Sequence, residues 1–314
     1  MDNILSLTKG TSKNRLNDLA DTLFTTIPYT FDKTLPFTIA STSNSFDGHA
    51  SRVRIGIYDI EQTKFNLFRS SRISDKVFAT VILNMYHEAT HVWQKNELFR
   101  QKHLDSYIAN QLVQEIACMD NHDYYFDNGN YKINANEIQA EKEGIINAYK
   151  YLCNEFPEVN PTDHEHIILD IVNDKMLNST YFVSSEKPFK SLSEVEKAFD
   201  DAYDDSFTKK RTYMVNSSNT YDAVKLFMRE HPEAKESYLN ADSPLEQDRC
   251  IASINLKLHP EWLKVYPSLS DMDLSYENII EKPYQETQAS RIEKIHSMFG
   301  DVLADSKSDN EFEI

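Results

Sequence analysis

Two histidines four residues apart enclose a glutamate in His87-Glu88-Ala89-Thr90-His91, and no other stretch of the chain is so well suited to chemistry. Helical residues four apart share a face, so both imidazoles can bind one cation. Glu88 is rotated from each by roughly a quarter turn or more. From there it is badly placed as a third ligand and well placed to take a proton from water on the cation. The alternative reading is two histidines at a core edge. Such a pattern arises by chance in roughly a few per cent of chains this rich in histidine, so the surrounding elements must decide.

The first requirement is a helix with a core face and a chemical face. From Ser74 or Asp75, either able to cap, Phe78, Val81, Ile82, Met85, Ala89, Val92 and Trp93 form one apolar stripe. On a wheel at about 100° per residue, His87 and His91 fall opposite it, beside Thr80, Asn84 and Gln94. Gln94 and Asn84 read equally as a solvated face or as substrate contacts.

The second requirement is a third ligand. A pattern with a third histidine six residues on, His-Glu-x-x-His-x-x-Gly-x-x-His, needs Gly at 94 and His at 97; the chain has Gln94 and Glu97. A carboxylate on a later helix is the remaining option. A helix expected from about Asn134 to Leu152 lines up Glu137, Ala140, Glu141 and Gly144 on one face, and the small Ala140 and Gly144 permit close approach to the histidine helix. Glu137 is the expected ligand and Glu141 its rival. Asn134-x-x-Glu137 is also a capping-box spacing, which would give Glu137 a purely structural task. Two His and one Glu with an open fourth position make a catalytic zinc set.

Here the sequence resembles the gluzincin-type zinc metallopeptidases, and more closely the compact zincins of the ImmA/IrrE kind and those of phages and mobile elements. The resemblance rests on His87-Glu88-x-x-His91-x-x-Gln94 followed by Tyr131, Asn134, Glu137, Ile138 and Ala140, and covers about residues 35 to 152. It implies Zn2+ held by His87, His91 and Glu137, with Glu88 as general base in peptide-bond hydrolysis. Where the family has Ala-Asp this chain has Ala140-Glu141, which leaves the supporting role of Glu141 open. Tyr131 is a candidate to stabilise an oxyanion, with packing in a hairpin as its other reading.

The expected fold class is α+β and helix-rich: a zincin-like core with a small antiparallel sheet and the active-site helix, then a mostly helical C-terminal region. A helix is expected over 13–25. Strands are expected at 37–40, at Ser51–Asp59, where Val53, Ile55 and Ile57 alternate with other residues, and at 64–68. The edge "RVRIGIYD" is a candidate to hold an extended substrate by strand addition. A helix near 103–118 follows, then a hairpin turn at Asn128-Gly129 between two aromatic runs. Two prolines within 154–163 mark a boundary. It divides residues 1–155, a metallopeptidase domain, from 156–303, a helical accessory domain with stripes at 192–203, 221–229, 247–258 and 288–303. An acidic tail, 304–314, is expected to be disordered. "DHEH" at 163–166 reads as a solvated helix start rather than a second metal site, and Trp262 as core.

Bulk properties narrow the partners. The 314-residue chain carries a net charge of -17, which opposes binding to nucleic acid and to anionic membranes. Six glycines leave no phosphate-cradling loop. The start of the chain lacks the apolar run of a signal peptide, no window is long and apolar enough to span a membrane, and three scattered cysteines suit a reducing cytoplasm. A protein or peptide substrate is the expected partner. The competing reading is a catalytically silent zincin-like scaffold acting as a protein-binding effector of phage or mobile-element origin.

Overall fold

The computed structural model describes residues 42–46, 51–57, 63–68, 75–94, 98–119, 121, 124–125, 127–177, 181–216 and 222–308. The helix expected over 13–25 and the strand expected at 37–40 lie outside them. The helices are α1 (Asp75–Trp93), α2 (Ser106–Cys118), α3 (Ala135–Glu155), α4 (Pro161–Leu177), α5 (Leu192–Ser206), α6 (Ala223–Glu230), α7 (Pro232–Asn240), α8 (Pro244–Leu258), the short α9 (Trp262–Val265) and α10 (Lys282–Ser308).

The α+β expectation needs correction. From Asp75 to Ser308 no described residue is in a strand, the architecture there is helix on helix with no antiparallel sheet among its described residues, and a zincin-like core is not shown. Period-two alternation is confined to the stretch before 69, where β1 (Thr42–Phe46), β2 (Ser51–Ile57) and β3 (Thr63–Phe68) make short antiparallel ladders. The described elements after it are helices, whose apolar faces pack on other helices rather than on a sheet.

Two cores result. One joins Ile82 and Leu83 of α1, Ile138, Ile145 and Leu152 of α3, Ile168 and Val172 of α4 and Phe199 of α5. The other joins Leu112 and Ile116 of α2, Met228 of α6, Tyr238 of α7, Ile251 and Ile254 of α8, and Trp262. Each fully buried aliphatic side chain contributes about 1.5–3 kcal/mol. Both cores draw residues from either side of 155–162. Among the described residues no helix is long and apolar enough to cross a membrane.

Side-chain caps set several helix starts. Asp105 accepts from the Ile108 amide and begins α2, while Asn134 Oδ1 accepts from the amides of Asn136 and Glu137 and begins α3. The hairpin expected at Asn128-Gly129 is instead a 3₁₀ stretch, Asp127–Ile133, in which Gly129 takes φ 89°. Tyr124, Tyr125 and Tyr131 belong to helical turns, so among the described residues there are no strands for the turn to join. His164, expected on a solvated cap, is fully buried and donates from Nε2 to the Phe156 carbonyl at 3.1 Å.

The tightest crossing brings α3 onto α1. A Cβ placed on Gly144 would lie 2.8 Å from the Leu83 carbonyl oxygen and 3.3 Å from the His87 amide nitrogen. Both are backbone atoms of α1 and cannot rotate away. Gly144→Ala should therefore lower the denaturant midpoint. Helix propensity favours alanine by about 0.5–1 kcal/mol, but overpacking costs about 1–3 kcal/mol. An unchanged or raised midpoint in equilibrium unfolding would contradict this crossing.

Candidate metal centre

His87 and His91 stand one turn apart on α1, rings 4.9 Å between centroids and 80° between planes, with their Nε2 atoms 3.2 Å apart. Glu137, in the first turn of α3, closes the group. Its Oε2 is 3.3 Å from His87 Nε2 and its Oε1 is 3.3 Å from His91 Nε2. An ion with bonds of 2.0–2.1 Å and tetrahedral angles needs its ligand atoms about 3.3 Å apart. The two nitrogens stand at that spacing, each with a different Glu137 oxygen at 3.3 Å, and one ligand atom from each of the three residues lies within 4.8 Å of the others. Among the described residues, this is the one group of three such side chains that converges.

The far sides of both rings are held. His87 Nδ1 is 2.9 Å from Glu141 Oε2, and His91 Nδ1 is 2.9 Å from Gln94 Oε1. The Gln94 amide is oriented by its other contacts: its nitrogen donates to the Asn136 carbonyl at 3.0 Å and to Gln139 Oε1 at 2.9 Å. Its oxygen must then face His91. In the neutral rings a metal requires, acceptors at both Nδ1 positions keep the single proton there and leave the Nε2 lone pairs for a cation. Gln94, read from sequence as a solvated residue or a substrate contact, is buried and holds the His91 ring in place.

Glu141 is not the rival ligand, because it sits at the opposite ring nitrogen from Glu137. Its other oxygen, Oε1, accepts from Lys175 Nζ at 2.6 Å and from the Tyr181 hydroxyl at 2.7 Å. Glu141 thus ties the His87 ring, at Nδ1, to Lys175 and Tyr181. The Asn134 cap uses the Glu137 backbone, so the Glu137 carboxylate is left for the histidines. The phenol on that carboxylate is Tyr125, whose hydroxyl donates to Oε1. Tyr131, the sequence candidate, packs its ring against Tyr125 at 5.4 Å and Phe182 at 5.4 Å, on the site's aromatic flank. Glu88 occupies its helical position between the two histidines.

Charge in the group is tightly shared. Burial lowers the basicity of His87, but Glu137 and Glu141 outweigh it and raise the pKa to about 10. Burial pushes the Glu137 carboxyl up, yet His91 and His87 hold it well below the usual carboxylate range. The same holds for Glu141, against its burial, through Lys175 and His87. Glu137 Oε2 is buried and accepts no hydrogen bond. A buried carboxylate with one oxygen facing each of two imidazole nitrogens is an environment a divalent cation fits, and such a cation displaces protons from its ligands.

No family model, curated protein or solved structure matches this chain. Tyr125, Lys175 and Tyr181 had no signal in the sequence. Tyr125 is one of two adjacent tyrosines in "DYYFD", and the other two follow Glu141 by 34 and 40 residues with no local pattern.

Proposed function

We propose that this chain is a zinc-dependent metallopeptidase that hydrolyses peptide bonds in a protein or peptide substrate. The observation that carries the reading is the convergence of His87 Nε2, His91 Nε2 and the Glu137 carboxylate at 3.2–3.3 Å, with both Nδ1 atoms already held. Two imidazoles and one carboxylate suit zinc, and three protein ligands leave a position open for chemistry. When bound, zinc lowers the pKa of a water toward neutrality and polarises a carbonyl.

The remaining steps fall to side chains. His87 and His91 present Nε2, kept in that tautomer by Glu141 and Gln94. Glu137 neutralises charge in a buried place. Glu88, between the ligands in the His-Glu-x-x-His spacing, takes the proton of the attacking water on its carboxylate and returns it to the leaving amine.

Zinc should co-purify at one equivalent by elemental analysis. Cleavage of an unfolded protein substrate should stop with a chelator such as 1,10-phenanthroline and return with added zinc. Purified protein that neither holds nor takes up zinc would overturn the metal reading. A full complement of zinc with no chelator-sensitive cleavage on a broad peptide panel would leave a metal-bearing scaffold instead.

A further inference from the structure

Glu137 lies four residues beyond Ile133, in a turn whose backbone is held from far along the chain. Arg211, 4% exposed, donates through Nη1 to the Ile133 carbonyl and through Nη2 to the Ser206 carbonyl at 3.3 Å, while its Nε faces Asp248 Oδ1 at 3.5 Å. The next turn inward is pinned as well. The Ala135 amide donates to Gln114 Oε1 at 3.0 Å, and Gln114 Nε2 donates to the same Ser206 carbonyl at 3.2 Å. Asp248 Oδ1 also accepts from the Tyr124 hydroxyl, and the neighbouring tyrosine is the one on the Glu137 carboxylate. One carboxylate on α8 thus governs both the backbone beneath Glu137 and the chain that carries its phenol.

A buried ion pair of this kind is a poor way to gain stability. Desolvation offsets much of the attraction, and apolar replacements of similar shape are often as stable or more so. Here the cost is raised further, because Asp248 Oδ2 is buried without a hydrogen-bond partner. Positional accuracy is what such a clamp supplies. Metal ligands must be held within about 0.5 Å of their productive places, and a planar guanidinium fixes three acceptors at once, which an ammonium cannot do.

We propose that Arg211, anchored by Asp248, is a positioning residue through which the C-terminal half of the chain sets the Glu137 carboxylate for metal binding. The inference rests on the metal reading above. It assigns a task to a region that the sequence resemblance does not reach.

The test compares zinc affinity, by competition with a chromophoric chelator, and the cobalt(II) absorption spectrum. The proteins are the full-length wild type, Arg211→Lys, and Ile254→Val as a mild control in the same core. Arg211→Lys should bind zinc about 10-fold more weakly or worse and shift the cobalt bands, while Ile254→Val matches the wild type in both. Folded Arg211→Lys with wild-type affinity and spectrum would overturn the proposal, as would an equal loss in the control. Should Arg211→Lys not fold, the isosteric Tyr124→Phe decides. Weaker zinc binding and altered cobalt bands support the clamp, and wild-type behaviour rejects it. Failure of the wild type itself to bind either metal sinks the metal reading and this one together. Metal binding that ignores these substitutions sinks this one alone.

Discussion

Glu88→Gln should retain one zinc and lose nearly all turnover. The amide keeps the size of the carboxylate but cannot accept a proton, so the step that activates water loses its base. General base catalysis contributes about 10²–10⁴-fold, and kcat/KM should fall within that range. Zinc should stay, because the proposed ligand atoms belong to His87, His91 and Glu137, and the ring orientation depends on Glu141 and Gln94 rather than on residue 88. Measuring zinc and cleavage on the same preparation separates the outcomes. A rate equal to that of the wild type would remove Glu88 from the mechanism. Loss of zinc along with activity would make it structural.

What the sequence made legible was local. The histidine helix could be read because its apolar stripe and its two histidines lie within a few turns and obey one period, and α1 runs from Asp75 to Trp93 much as that period requires. The start of α3 was readable from the Asn134 cap, and its approach to α1 from the small residues at 140 and 144, where Gly144 does meet the backbone of Leu83 and His87. What failed was mainly non-local. Alternation around Ser51–Ile57 says nothing about whether a sheet forms a layer of the fold, and it does not extend past residue 68. Asn128-Gly129 was a turn signal without strands to join. Lys175 and Tyr181 reach Glu141 only because α4 and the loop after it fold back over α3, and spacing in the chain carries no trace of that. His164 shows the same limit from the other side: a polar run at a helix start looks solvated, yet the His164 ring is buried with its Nε2 donating to the Phe156 carbonyl.

The largest effect on metal binding should come from Glu137→Ala. Loss of an outer hydrogen-bond partner of a metal-bound histidine costs about 10–100-fold in affinity, so removing a direct, charged ligand should cost more than about 100-fold. The helix should survive, which makes the result interpretable. Asn134 caps α3 through the backbone amides of residues 136 and 137, and those remain in the variant. The metal-free protein also changes in a definite direction. His87 owes its raised pKa of about 10 to Glu137 and Glu141, against its burial. A histidine whose folded pKa exceeds its unfolded one lends stability that is complete below the unfolded value near 6.5 and disappears as pH climbs through the folded value. With one of the two carboxylates gone, the upper edge of that window should move down. The metal-free variant should then lose less stability between pH 7 and 10 than the metal-free wild type, as followed by denaturant midpoints. Zinc binding is read separately by titration. Wild-type zinc affinity in a folded Glu137→Ala protein would show that the carboxylate is a neighbour of the two histidines and not their partner on a metal, and the peptidase reading would lose its third ligand.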